Sequence, residues 1–382
     1  MDFVCLKEDL VFGVRLASYG LGARSNMPIL AGLKMEVEGD SLLLQATDLA
    51  RAVSYTLNVE NHSGDGTIVL NGPVFNQIAA HLPADERLSL KTAEEGTTVE
   101  VRCGEATFEL PTLPVEDYPE IPPLPERKIA TMKVDLFHRG LEQTAFAALK
   151  AAETTRINLT GVNLVLKEGR LRMVATNGYR LALKAFAIDE IAEEGEYLIE
   201  ARVLSDLDRV FTQVGSPTVD LYRKEGELFF RAGQVTFMAK TLNEEFPDFE
   251  RVIPKDNPIG LFFDRKALID ALQRIEITAA EESGAVTIRA TTDESAVTIN
   301  SSSKEKGEAE ERVRLKKVPP QEIEISFRGE YLIDALKRLD SDEVALWLAA
   351  PEKAGLIEPA GERIAETDEG FLYVCMPVRL GT

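Results

Sequence analysis

The chain has 382 residues, 45% hydrophobic and 28% charged. That is the balance of a folded protein of two to four domains, not a disordered one. Its 43 Lys and Arg against 64 Asp and Glu give a formal charge of −21. This excludes a broadly basic nucleic-acid coat but leaves room for one local basic surface.

In chain order, helical spacing is expected over 6–21, 73–82, 135–150, 202–214, 264–275 and 330–339. In the last, Leu332, Ile333, Leu336 and Leu339 form an amphipathic stripe. Between helices the pattern switches to period two, as in Leu42/Leu44, Val99/Val101, Val162/Leu164/Leu166, Val235/Phe237, Val297/Ile299 and Val344/Leu346/Leu348. Glu168-Gly169-Arg170 and Glu225-Gly226-Glu227 are expected as hairpin turns. Strand runs with two helices per unit indicate an α+β fold rather than a doubly wound sheet. The three cysteines and three histidines are scattered, so neither a disulfide framework nor a metal site is expected, and no cofactor. No signal peptide and no apolar run of about 20 residues is visible, which predicts a cytoplasmic protein with no membrane partner.

An internal repeat organises these elements. Ala31-Gly32-Leu33 leading to Ala46-Thr47-Asp48 is echoed by Thr160-Gly161-Val162 leading to Ala175-Thr176-Asn177, about 129 residues on. Thr112-Leu113 with Tyr118-Pro119 is echoed by Thr241-Leu242 with Phe246-Pro247. A weaker third copy matches Asp135 to Asp264, and Leu204-Ser205-Asp206-Leu207 to Leu332-Ile333-Asp334-Ala335. Proline-rich stretches at 119–125 and 254–258 mark the joints. The expected domains are 1–125, 126–254 and 255–382.

Across the six helical windows basic and acidic residues nearly balance, so most of the negative charge lies elsewhere. A relatively positive helical lining would hold DNA through phosphates without reading sequence; ordinary solvated helix faces would look the same. Helices packed ~8–10 Å apart set a size limit. Six in a circle leave almost no hole, whereas twelve leave one of about 25 Å, wide enough for duplex DNA. A dimer could therefore encircle DNA; one chain could not.

Three motifs then carry a resemblance along the whole length. Val174-Ala175-Thr176-Asn177-Gly178-Tyr179-Arg180-Leu181-Ala182, Glu245-Phe246-Pro247-Asp248-Phe249-Glu250-Arg251-Val252-Ile253-Pro254 and Tyr373-Val374-Cys375-Met376-Pro377-Val378-Arg379-Leu380 resemble those of the bacterial DNA polymerase III beta subunits, the replication sliding clamps. Arg24 followed by Met27-Pro28-Ile29-Leu30 resembles the family's entry after the first helix. The resemblance implies three tandem domains of the DNA-clamp fold, half of a six-domain closed ring. Such a homodimer encircles double-stranded DNA non-specifically, performs no chemistry, and tethers the DNA polymerase III alpha subunit and other clamp-binding-motif proteins. A clamp loader opens it.

By the same resemblance, a partner-peptide pocket should involve Leu159, Thr176, Gly178, Tyr179, Arg180, Leu181, Pro247, Val252, Val374, Met376, Pro377, Val378 and Arg379. The arginines would hold a polar group or the end of the peptide chain. Candidate DNA contacts are Arg24, Arg139, Lys150, Arg202, Arg265, Lys266, Arg274, Lys337 and Arg338. The dimer joint should pair the edge around 102–110, with Arg102 and Phe108, against an acidic stretch with Glu308, Glu310 and Glu311. Asn177 stands where the family usually has Asp, and the 73–82 helix has no Lys or Arg. A diverged clamp acting mainly as a partner-binding scaffold is the alternative. Ser301-Ser302-Ser303-Lys304 spells a hydrolase-like S-x-x-K, but no helix is expected there to present the serine.

Overall fold

Each expected helix forms, and each follows a strand without a loop. In the computed structural model, which describes residues 1–22, 26–83, 87–93, 95–188 and 190–379, the helices are α1 (Lys7–Ala17), α2 (Gly72–His81), α3 (Val134–Thr144), α4 (Ala201–Val214), α5 (Arg265–Glu276) and α6 (Gly329–Leu336). The entry is capped at α2 by Asn71, whose side chain accepts from the Val74 N–H at 3.1 Å, and at α5 by Asp264, accepting from Ala267 at 2.8 Å. The inward stripe is clearest in α4, where Val203, Leu204, Leu207, Val210 and Phe211 are buried.

Three helices are shorter than their spacing suggests, and the least affected, α6, ends at Leu336. Past Ala17, α1 tightens into a 3-10 turn over Ser18–Gly20. A Cβ at Gly20 would lie 2.3 Å from the Ala46 carbonyl oxygen, so only glycine lets the chain pass there. The expected 135–150 helix stops at Thr144, whose φ of −126° breaks the spiral, and a 3-10 turn over Ala145–Ala147 follows. The Leu149 N–H then bonds the Leu159 carbonyl at 2.8 Å, which leaves Lys150 on a connecting segment. Both predicted hairpin turns form, with positive φ at Glu168 and Gly169 and at Glu225 and Gly226.

Contacts group the chain into two compact units, Met1–Val134 with Val203–Thr241, and Asp135–Arg202 with Leu242–Thr382. The division follows sheet continuity and cuts through the central repeat. In the first unit an antiparallel run passes through Lys128–Lys133, Thr218–Lys224, Glu227–Ala232, Val235–Lys240, Arg51–Asn58, Ser41–Thr47, Gly32–Glu38, Gly66–Asn71, Ala106–Leu113, Thr98–Cys103, Arg87–Thr92 and Asp2–Leu6. Its core is built from Phe3, Leu10, Val14, Met35, Leu44, Phe75, Leu88 and Val101 with their neighbours.

The second unit holds two sheets. One runs Gly195–Glu200, Gly161–Lys167, Arg170–Thr176, Arg180–Ala187, Phe371–Cys375, Gly355–Ala360, Glu343–Leu348 and Ile259–Asp264; the other runs Gly307–Arg314, Ala296–Ser303, Ala285–Ala290 and Ile323–Arg328. Alternation predicts one buried face for Gly161–Lys167, yet every residue but Lys167 is buried. The second face is covered because Val165, Val174, Leu181, Leu183, Phe249 and Val374 cluster there, with Phe246 and Ile253 of the 245–254 segment packed on them.

Candidate functional site

The loop between strands Arg170–Thr176 and Arg180–Ala187 is fixed by short polar side chains. The Asn177 Oδ1 accepts from the Tyr179 N–H (2.9 Å) and the Arg180 N–H (3.0 Å). The Thr176 hydroxyl donates to the Arg180 carbonyl (2.6 Å) and accepts from the Gly178 N–H (3.1 Å). Gly178 takes φ +88°, the left-handed region where a side chain is strained. Asn177 thus fills the acceptor role that a carboxylate would, so its departure from the usual Asp leaves the loop intact.

This turn throws Tyr179 outward, 67% exposed, and its carbonyl accepts the Met376 N–H at 2.8 Å. Strand pairing sets Arg180 against Cys375 and Leu181 against Val374. The result is an apolar platform with Leu181 and Val374 as buried floor and the Tyr179 and Met376 side chains exposed above the sheet. Beside it, Val252 is 45% exposed and borders a cleft of about 560 Å³ with Ile253, Pro254, Asn257, Lys353 and Ala354. The Asn257 amide pins that cleft, donating to the Trp347 and Ala354 carbonyls at 2.9 and 3.0 Å.

Sheet pairing therefore brings together Thr176, Gly178, Tyr179, Arg180, Leu181, Val374 and Met376. Leu159 is buried, Pro247 and Arg379 are exposed, and Pro377 and Val378 are half-buried, with the Val378 N–H bonded to the Ser326 carbonyl at 2.8 Å. One expectation needs correcting. Arg180 does not offer its guanidinium to a ligand. Its side chain is 10% exposed and turned inward, bonded to Asp334 (2.6 Å) and to the Phe146 carbonyl (2.8 Å), with the Tyr331 ring centroid 4.4 Å away. Asp334 was legible as a signal, since the repeat aligns it with Asp206; Phe146, Tyr331 and Phe249 were not.

The basic residues separate into two groups. Arg24 lies outside the described residues. Arg139 is withdrawn from solvent: it donates to the Arg338 carbonyl (2.8 Å) and to Asp368 (3.0 Å), with Glu142 at 3.3 Å. Arg265 caps the end of α6 through the Leu336 and Ser341 carbonyls. Arg274 is held by both oxygens of Glu311 at 2.6 and 2.9 Å. All three arginines are thus engaged within the chain, Arg139 most withdrawn with its side chain 15% exposed and Arg274 still 60% exposed, and the Glu311 carboxylate is taken by Arg274. Arg202, Lys266, Lys337 and Arg338 are exposed at helices, and Lys150 is 82% exposed with Glu153 3.5 Å away.

Among the described residues no three metal-ligating side chains converge, and no helix is long and apolar enough to cross a membrane. The Ser301 hydroxyl of the S-x-x-K donates to the Ile275 carbonyl at 2.6 Å and sits on a strand. Burial pushes the Cys375 thiol up to about 12, which leaves it unreactive at neutral pH.

Tandem strand–helix repeats joined through shared sheets, with an apolar platform on one junction, define a sliding-clamp class of protein. Family profiles of the DNA polymerase III beta subunit match in order: the N-terminal domain over 1–122, the central domain over 131–248 and the C-terminal domain over 250–379. The chain belongs to this family, whose members are non-catalytic processivity factors. A beta sliding clamp of Staphylococcus aureus is 26% identical over 386 residues, covering 99% of both chains. The DNA polymerase III beta subunit of Pseudomonas aeruginosa superposes with a TM-score of 0.90 at 26% identity, and that of Thermotoga maritima with 0.89 at 27%, each covering 100% of both chains.

Proposed function

We propose that two copies of this chain close into a ring around duplex DNA and carry the DNA polymerase III alpha subunit along it, processivity coming from topology rather than from tight contacts. The domains are 1–125, 126–254 and 255–382, six to a ring. A clamp loader opens the ring, and other proteins with clamp-binding motifs share the platform. The setting is the cytoplasm, at the nucleoid.

The observation that carries this reading is a strand pairing used twice within the chain. Arg51–Asn58 pairs with Val235–Lys240, and Arg180–Ala187 with Phe371–Cys375. The third residue of the incoming strand is aromatic both times, Phe237 and Tyr373, and both are fully buried. The matching elements left over are the strand Gly307–Arg314, an edge of its sheet, and the strand Ala106–Leu113, whose third residue is Phe108, half-buried. Pairing them between two copies buries Phe108 and removes two open edges. The predicted 102–110 edge is thus the second strand of a hairpin, with Arg102 on the first and Glu308 and Glu310 facing it from the partner copy.

The partner peptide would lie on Tyr179, Leu181, Val252, Val374 and Met376, framed by Leu159, Thr176, Gly178, Pro247, Pro377, Val378 and Arg379. A soft Met and exposed aromatic suit varied apolar anchors. Phosphates would meet Lys150, Arg202, Lys266, Lys337 and Arg338. The test loads the protein onto nicked circular DNA with a matching clamp loader and ATP. Retention on the circle and release on linearisation is the expected result; a dimer that is not retained while a control clamp is would overturn the encirclement.

A further inference from the structure

The three equivalent junctions differ in what holds them. At both intrachain junctions an arginine opening the receiving strand meets an aspartate at the sixth position of a helix: Arg51 with Asp206 on α4, Arg180 with Asp334 on α6. At the third, the same positions are Gly307 and Gln77, so that latch is missing. On the sheet face away from the helices, the second residue of the receiving strand stands opposite the fourth of the incoming one. This gives Ala52 against Met238 and Leu181 against Val374, both apolar. The same register at the third junction sets Glu308 of one copy against Glu109 of the other, both exposed.

Among the described residues, no ion pair holds Glu109 or Glu308, and the neighbouring cations are engaged elsewhere. Arg102 is paired with Glu100 at 2.7 Å, and Glu100 itself stands opposite Glu109 on the hairpin. Lys306 reaches Glu281 at 3.4 Å, and Arg312 pairs with Glu294. Like charges directly opposite across strands oppose pairing.

We propose that the joint between copies is closed by apolar contacts around Phe108 against a Glu109–Glu308 repulsion, so that dimerisation tightens with salt. This rests on the dimer described above. Screening at higher ionic strength shortens the reach of the repulsion, the opposite of the behaviour of a joint held by ion pairs.

Sedimentation equilibrium of the full chain and its variants at about 0.05 and 0.5 M NaCl tests it. Glu109→Lys and Glu308→Lys should each tighten the dimer, on the order of fivefold per joint and so about 25-fold for a ring closed at two joints. The double variant, again like-charged, should fall back towards the wild type. Phe108→Asp serves as the control. If Phe108→Asp abolishes the dimer while the single reversals weaken it or leave it unchanged, the repulsion is overturned and the joint stands. If Phe108→Asp dimerises like the wild type, or the wild type is a monomer throughout, the joint itself is overturned.

Discussion

The loops 47–51 and 176–180 are the same device put to two uses. In both, a threonine hydroxyl donates to an arginine carbonyl, Thr47 to Arg51 at 2.7 Å and Thr176 to Arg180 at 2.6 Å. In both, an Asx side chain takes two backbone N–H groups, Asp48 from Ala50 and Arg51, and Asn177 from Tyr179 and Arg180. Both then turn an arginine inward to an aspartate of the next repeat. The faces outside differ. Leu181, Leu183, Leu372 and Val374 give the second junction an apolar cluster, whereas in the first Ser54 and Thr236 stand where Leu183 and Leu372 do, beside Ala52 and Met238. Shared loop chemistry holds the chain together; the few outward side chains set the two junctions apart.

Breaking the arginine latches should separate the two most. Arg51 is 7% exposed and its partner Asp206 is 8% exposed, so Arg51→Ala should cost about 3–5 kcal/mol by stranding a buried charge. Asp334 is 38% exposed at its side chain, so water screens the loss and Arg180→Ala should cost only about 2–3 kcal/mol. Urea titrations would check the order, and an equal or reversed cost would remove the distinction. For binding, Tyr179→Ala and Met376→Ala should each weaken a polymerase-derived peptide about 10–100-fold by fluorescence polarisation. Met238→Ala in the first junction should leave it unchanged.

A pH effect is expected from the second junction. Lys184, 2% exposed, donates to the Thr367 and Glu369 carbonyls at 2.6 and 2.7 Å. Burial pushes its ammonium down from 10.5 to about 8, with Asp368 opposing the shift. Its folded value lies below its unfolded one, so the unfolded chain binds more protons between about 8 and 10.5, and stability there should rise with pH. Lys184→Met should lack that rise in thermal melts; an unchanged profile would count against it. The smallest effect is in the loop. Asn177→Ala should cost about 1–2 kcal/mol, while Asn177→Asp keeps both acceptor bonds and should stay within about 0.5 kcal/mol.

Periodicity alone located all six helices and the most regular of the strands, because each stripe is a local property of a few residues. The repeat also aligned Asp206 with Asp334 before either had a partner. What local pattern could not supply was which strand of one repeat joins which of the next, since that pairing spans well over a hundred residues. The direction of Arg139, Arg180, Arg265 and Arg274 was hidden for the same reason. A basic residue on a helix reads alike whether it faces phosphate or a distant carboxylate, and only the fold brings Asp368, Asp334 and Glu311 into reach.

Sheets shared across repeats also set a schedule for synthesis. Strand Arg51–Asn58 waits for Val235–Lys240, and Arg180–Ala187 waits for Phe371–Cys375. At about 5–20 residues per second, each edge stands open on the ribosome for roughly 10–35 s. Through that interval the nascent chain presents unpaired strands to its neighbours. Crowded polysomes are therefore where this protein is most exposed to mispairing, and slowing translation should lower its soluble yield before it alters the finished fold.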